Sequence, residues 1–205
     1  MSYLLSHPGA VFEALLQHVE LAGTALAIAV VVALPIGIVL ARARTVRPAA
    51  LALLGAVYAV PSLALFALLV PSLGLGFAPA VTGLAAYAIV ILINSVVAGI
   101  VGVDPAVVES ARGIGMNGAQ VLWRVEFPLA LPVIVGGLRV AAVAVIFIAS
   151  IAALVDAGGL GTLILAGIDQ NNLPKAIAGT VACVALALVV DGLLRLTERR
   201  LRTAD

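Results

Sequence analysis

The chain has 205 residues, 64% of them hydrophobic and only 10% charged, with a net charge of +1 and a mean hydropathy of +1.27. A soluble domain is about half apolar and about a quarter charged, so an aqueous globule is excluded and an integral membrane protein implied. The near-neutral charge offers nothing to nucleic acid. The lone cysteine, Cys183, excludes an intramolecular disulfide and reads as a small residue facing lipid or a neighbouring helix.

In chain order, Tyr3 to Glu20 reads as a short amphipathic helix lying at the outer surface. No basic residue precedes the first apolar run, and that run is too long for the core of a signal peptide, so it is read as a retained span. A span needs about 20 apolar residues. Leu21 to Ala41 meets this and stops at Arg42, Arg44 and Arg47. No charge occurs from Pro48 to Val103, and the turn-like stretch between Pro71 and Pro79 divides it into spans Ala49 to Val70 and Ala80 to Gly102. Leu131 to Val155 and Ala176 to Leu194 complete an all-α membrane protein of about five spans. The expected organisation is an outer-surface segment 1–20, a transmembrane domain 21–199 and a cytoplasmic tail 200–205. Pro35 and Pro61 fall inside spans, where neighbouring helices satisfy the freed carbonyls. Gly136, Val140 and Ala144 recur at helix-packing spacing.

Arginine sets the orientation. Arg42, Arg44 and Arg47 fall on the same side as Arg112, Arg124, Arg195, Arg199, Arg200 and Arg202, against Lys175 alone on the other. The positive-inside rule therefore places the N-terminus outside and the C-terminus in the cytoplasm.

The polar segment from Asp104 to Pro128 joins the third and fourth spans. Asp104 before Pro105 predicts an N-cap with proline at the first helical position. Gly113 and Gly115 break that helix, Asn117 with Gln120 predicts a capping box for a second one, and Pro128 is expected to end it. The product is a compact helix–turn–helix at the membrane surface, with Trp123 available for packing. Glu109-Ser110-Ala111, then Gly115, then Val125-Glu126-Phe127-Pro128 resembles the EAA motif of ABC importer permeases. That motif reads Glu-Ala-Ala, three residues, Gly, nine residues, Ile-x-Leu-Pro; every spacing holds, and Ser110, Val125 and Phe127 are the departures. Pro61-Ser62-Leu63-Ala64-Leu65, Ala111-Arg112-Gly113-Ile114-Gly115-Met116 and Ala157-Gly158-Gly159-Leu160-Gly161 are similar to the osmoprotectant branch, and the likeness runs from Leu21 to Arg199.

The resemblance implies a type I importer permease with a cytoplasmic coupling helix, carrying glycine betaine, choline, carnitine or proline betaine by alternating access across a bacterial cytoplasmic membrane. Glu109, Ser110, Ala111, Gly115, Val125 and Pro128 would form the segment that docks on the ATPase. ATP and Mg would sit on that partner, with no cofactor on this chain. Expected partners are an ATPase dimer, a second permease (identical or paralogous), an extracytoplasmic solute-binding protein and membrane lipid, with no nucleic acid. Methionine-type permeases share the length, span count and EAA segment and are the alternative solute class. A secondary transporter or channel subunit is the alternative of another class, disfavoured by the lack of an internal repeat. An enzyme is not indicated: no nucleophile–base pair, metal-ligand cluster or phosphate-binding glycine loop is present. His7 and His18 fall outside the expected spans and read as surface residues.

Three residues are candidates for a solute path. Tyr58 and Tyr87 are membrane aromatics with a polar tip, and Asn94 is an intramembrane amide. A quaternary ammonium favours aromatic faces; interhelical hydrogen bonding or interfacial anchoring is the other reading of each. The aromatics are few and do not cluster, so a selective cage is expected on a separate binding protein. Arg139 and Asp191 are placed to snorkel or to pair near the cytoplasmic face, and Asp156 stands at the outer end of the fourth span.

Overall fold

The computed structural model describes residues 2–202, and no strand occurs among them. After a single turn of helix, α1 (Ser2–Ser6), α2 runs unbroken from Pro8 to Arg42. The expected separate surface helix therefore does not exist. Pro8 opens α2, and no further proline follows it before the span. Val11, Ala14, His18, Leu21, Ala25, Ala29 and Ala33 make one continuous buried stripe at helical period. At about 1.5 Å per residue α2 is some 50 Å long, well over the roughly 30 Å of bilayer hydrocarbon.

The second expected span is two helices, α3 (Arg47–Tyr58) and α4 (Ser62–Leu73), bent by 87° at the intervening residues. Pro61 causes the break, since it holds extended backbone at φ −59° and ψ 135° and a proline ring disfavours helix at the residue before it. Pro71, expected in the following turn, lies inside α4, and Gly74 and Gly76 make the turn instead at φ 77° and 101°. No residue of α3 is buried, and α4 buries only Phe66.

α5 (Phe77–Val101) is the central helix, with more than half its residues buried. Beyond it come α6 (Pro105–Gly113), α7 (Gly118–Val121), a π-helical turn (Leu122–Glu126), α8 (Phe127–Ile151) and a 3-10 turn (Ala152–Val155). Pro128 does not end a helix as expected: Gly118–Val155 is one continuous helical run. A proline has no N–H and crowds the carbonyl four residues before it. The widened turn, in which the N–H of Phe127 donates to the carbonyl of Leu122, absorbs that conflict. A short helix the sequence reading did not foresee, α9 (Leu160–Asp169), precedes α10 (Leu173–Arg202). α10 carries the fifth span well past Leu194, and residues 203–205 of the expected tail lie outside the described residues.

α2, α5, α8 and α10 form the bundle. Lipid tails are as apolar as leucine, so close packing rather than a hydrophobic drive holds such helices together. Ala25, Ala29 and Ala33 are fully buried, a Cβ on Gly37 would lie 2.6 Å from Val96, and Gly137 sits directly against Ser95. The neighbouring Gly136, with Val140 and Ala144, instead faces an open groove between α8 and α10.

Candidate functional site

The polar segment after α5 is built as its residues require. Asp104 caps α6 by accepting from the N–H of Ala106 at 2.8 Å. Gly115, at φ 89°, turns the chain, and the N–H of Met116 reaches back to the carbonyl of Ala111 at 3.2 Å. Asn117 and Gln120 form the reciprocal capping box, at 3.0 and 2.9 Å. Ala111 is buried under the turn. Ser110 donates to the carbonyl of Ala106 at 2.7 Å, within its own helix. Glu109 faces a cleft shared with Arg42, Arg44, Arg47 and Arg112. Val125 lies in the π turn, and Pro128 in the first turn of α8. Three large apolar side chains of the segment are exposed, Ile114 at 79%, Trp123 at 57% and Val107 at 41%.

The segment is fastened to the bundle by charge. Glu126, the last residue of the π turn, is buried and accepts two hydrogen bonds from the guanidinium of Arg42, the last residue of α2; one of them is 3.0 Å long. A second ionic group lies about 20 Å further along α8. Arg139 donates twice to Asp191, at 3.0 and 2.8 Å, and once to Glu198 at 2.7 Å. The expected pairing of Arg139 with Asp191 is thus present, and Glu198 completes it. Ionisable residues on apolar spans almost always face a bundle interior or water-filled cavity and find partners there.

At the other end of the bundle, His18 is fully buried, contrary to the expectation of a surface histidine. Its Nε2 donates to the carbonyl of Ile146 at 2.9 Å, and its Nδ1 accepts from the N–H of Leu160 at 3.2 Å. Beside it, Gln17 accepts from the N–H of Gly159 at 3.0 Å. The two side chains therefore hold the first turn of α9, where helix N–H groups lack internal partners. Gly158 and Gly159 have φ of 81° and 80°, and a Cβ on Gly159 would lie 2.9 Å from His18 Nδ1. The signal was available: His18 is four residues after Ala14 and three before Leu21, on the buried stripe rather than off it.

Of the path candidates, two meet. Tyr58 and Tyr87 contact edge to face with ring centroids 5.6 Å apart. Tyr87 donates its hydroxyl hydrogen to the carbonyl of Val60, the residue before Pro61. Asn94 lies two turns along α5 on the same face as Tyr87 but is exposed, and it donates to the carbonyl of Val90 at 2.8 Å. Cys183 is buried, 3.3 Å from the Ser150 hydroxyl.

Residues 33–203 match the family of binding-protein-dependent transport system inner membrane components. The chain belongs to that family. The permease is 32% identical to the glycine betaine/carnitine/choline transport system permease protein of Bacillus subtilis, over 98% of this chain and 92% of the relative. It is 36% identical to the osmoprotectant import permease protein of Salmonella typhimurium, over 94% and 92%. It is 33% identical to the choline transport system permease protein of Bacillus subtilis, over 100% and 94%. Its fold is that of the inward-facing MetNI methionine ABC transporter, with a TM-score of 0.85 at 17% identity over 94% of this permease and 96% of that chain. An amino acid ABC transporter solved with histidines gives 0.77 at 21% identity, covering 96% of both. The expected type I importer permease architecture is thus the one found.

Proposed function

We propose that this permease carries a compatible solute (glycine betaine, carnitine, choline or proline betaine) into a bacterial cell, driven by ATP hydrolysis on a separate subunit. The observation that carries the reading is the Asp104–Pro128 segment. It is a short, doubly capped helix–turn–helix, tied to α2 through Arg42 and Glu126 and continuous with α8 through the π turn. A stiff element joined to two spans is what passing a displacement from a docked ATPase to the bundle requires. Ile114 and Trp123 supply an uncovered apolar surface on it, and Glu109, Ser110, Ala111, Gly115, Val125 and Pro128 shape it. The solute class is supported by relatives at 32–36% identity over nearly the whole chain, each named for such solutes.

The proposed assembly has two permeases on two ATPases, which hold ATP and Mg, with a solute-binding protein outside; alternating access opens the path to each side in turn. The N-terminus lies outside. Supporting this, Arg42, Arg44, Arg47, Arg112 and Arg124 gather at one end of the bundle with the end of α10, while Lys175 stands at the start of α10. Tyr58, Tyr87 and Asn94 are proposed to line the path, since Tyr58 and Asn94 are exposed and the Tyr58–Tyr87 pair offers ring edges and a face to a quaternary ammonium.

The test is uptake of labelled glycine betaine by the reconstituted importer with its ATPase and binding protein. Unlabelled choline, carnitine, proline and methionine serve as competitors. ATP-dependent betaine uptake supports the proposal. Uptake blocked only by methionine overturns the solute class, and uptake without the ATPase overturns the energy source.

A further inference from the structure

Where the α2–α3 corner meets the end of α5 and one face of α6, a cleft of about 350 Å³ opens. Four arginines line it, Arg42, Arg44, Arg47 and Arg112, against two carboxylates, Glu109 and Glu126. Arg42 and Glu126 satisfy each other. Arg47 gives one N–H to the carbonyl of Ala41 at 3.4 Å. Among the described residues, no ion pair joins Arg44, Arg47, Arg112 or Glu109 to any partner. The cleft thus carries two positive charges in excess and several guanidinium N–H groups with no acceptor.

Its walls are not only polar. Val101 and Val108 line it, and Val101 is half exposed. α3 starts at Arg47 and buries none of its residues, so its apolar side chains are open to acyl chains beside the cleft. Depth agrees, because Arg42 closes the apolar run of α2 and marks where hydrocarbon gives way to headgroups. Planar guanidinium forks match the two free oxygens of a phosphodiester, and basic pockets beside spans on the cytoplasmic side suit anionic headgroups.

We propose that this cleft binds the phosphate of an anionic phospholipid such as phosphatidylglycerol, taken from the inner leaflet. A zwitterionic lipid would bring its own cation into a cleft already two charges positive. A free phosphate would leave the apolar wall and α3 unused. The proposal goes beyond the transport reading and depends on it only for which leaflet is meant.

The experiment uses the assembled importer in nanodiscs of mixed phosphatidylglycerol and phosphatidylcholine, with retained lipid counted by native mass spectrometry. The wild-type complex is expected to retain phosphatidylglycerol preferentially. Arg44→Gln/Arg47→Gln should weaken that retention by about tenfold or more, and Lys175→Gln, at the far end, should leave it unchanged. Should the double glutamine variant fail to assemble, Arg44→Lys/Arg47→Lys keeps the charge and removes the forks; several-fold weaker retention supports the proposal, and unchanged retention overturns it. Displacement of the lipid by millimolar inorganic phosphate, with protein-bound phosphate in its place, overturns the lipid assignment in favour of a free anion. Unchanged lipid retention with loss of the ATPase subunit overturns it in favour of an acidic protein surface. No arm reads transport, so failure here is distinct from failure of the solute assignment.

Discussion

Arg42 and Glu126, 84 residues apart in sequence, close the end of the bundle with a two-pronged ion pair in which the partners are unequally placed: the Arg42 side chain is 42% exposed and that of Glu126 6%. The inequality decides what each substitution does. Arg42→Gln leaves a buried carboxylate without its counter-charge, a loss of about 3–5 kcal/mol. Glu126→Gln leaves a half-exposed guanidinium that water or headgroups can serve. Thermal unfolding in detergent should therefore show the larger fall in Tm for Arg42→Gln. Equal falls would mean that the pair does not hold the π turn to α2.

His18 is satisfied as the neutral tautomer with its proton on Nε2, giving to Ile146 and receiving from Leu160. Glutamine offers one donor and one acceptor in similar reach, whereas alanine offers neither. His18→Ala should strand the Leu160 N–H and lower stability by about 1–3 kcal/mol, and His18→Gln should recover a good part of it. Hydrogen exchange gives the local check: the amides of Gly159 and Leu160 should exchange faster in His18→Ala while those of α5 stay protected.

In the Arg139–Asp191–Glu198 group the Arg139 guanidinium bridges two carboxylates on α10. Arg139→Leu leaves Asp191 without the counter-charge it pairs with and takes one partner from Glu198, and is expected to be the most damaging single change of the three. Arg139→Leu/Asp191→Leu removes one charge of each sign and should be milder than Arg139→Leu alone, because replacing a buried pair is far less damaging than breaking it. A double-mutant cycle on Tm measures the coupling. A double variant worse than the single would show that the pair does not act as a unit.

Tyr87 and Val60 meet at the bend that divides the second expected span into α3 and α4. Pro61 frees carbonyls near the bend, and the hydroxyl of a tyrosine on another helix accepts the task of satisfying one of them. Tyr87→Phe keeps the ring against Tyr58 and removes that hydrogen bond, at a loss of about 1 kcal/mol. Cross-links between α3 and α5 should then form less selectively. An unchanged cross-linking pattern and Tm would show that the proline alone sets the bend.

What could be read from sequence and what could not separate along physical lines. Apolar runs and local caps are carried by consecutive residues, so the spans, the Asp104 cap and the Asn117–Gln120 box were legible without a structure. Interactions that need two distant elements were not: the burial of His18 depends on Ile146 and Leu160, and Glu126 looked like one polar residue in a loop until α2 supplied Arg42. The continuation through Pro128 was missed because a π turn leaves no compositional mark. The groove beside Gly136 was mistaken for a packed contact because its neighbour Gly137 holds the close approach, one residue away on the other face.

Glu109 offers a test that separates folding from the proposed coupling. It lies on the face of α6 toward the basic cleft, makes no ion pair within the chain among the described residues, and caps nothing. Glu109→Lys should therefore leave membrane insertion intact and stability within about 0.5 kcal/mol of wild type, as for a surface change with no structural partner. In the reconstituted importer, however, solute- and binding-protein-stimulated ATP hydrolysis should fall to the basal rate, and uptake should stop. Ile114→Ser, on the uncovered apolar surface, should weaken association with the ATPase while sparing the fold in the same way. Normal stimulation in Glu109→Lys, with Ile114→Ser also binding normally, would move the docking surface away from α6 and its turn.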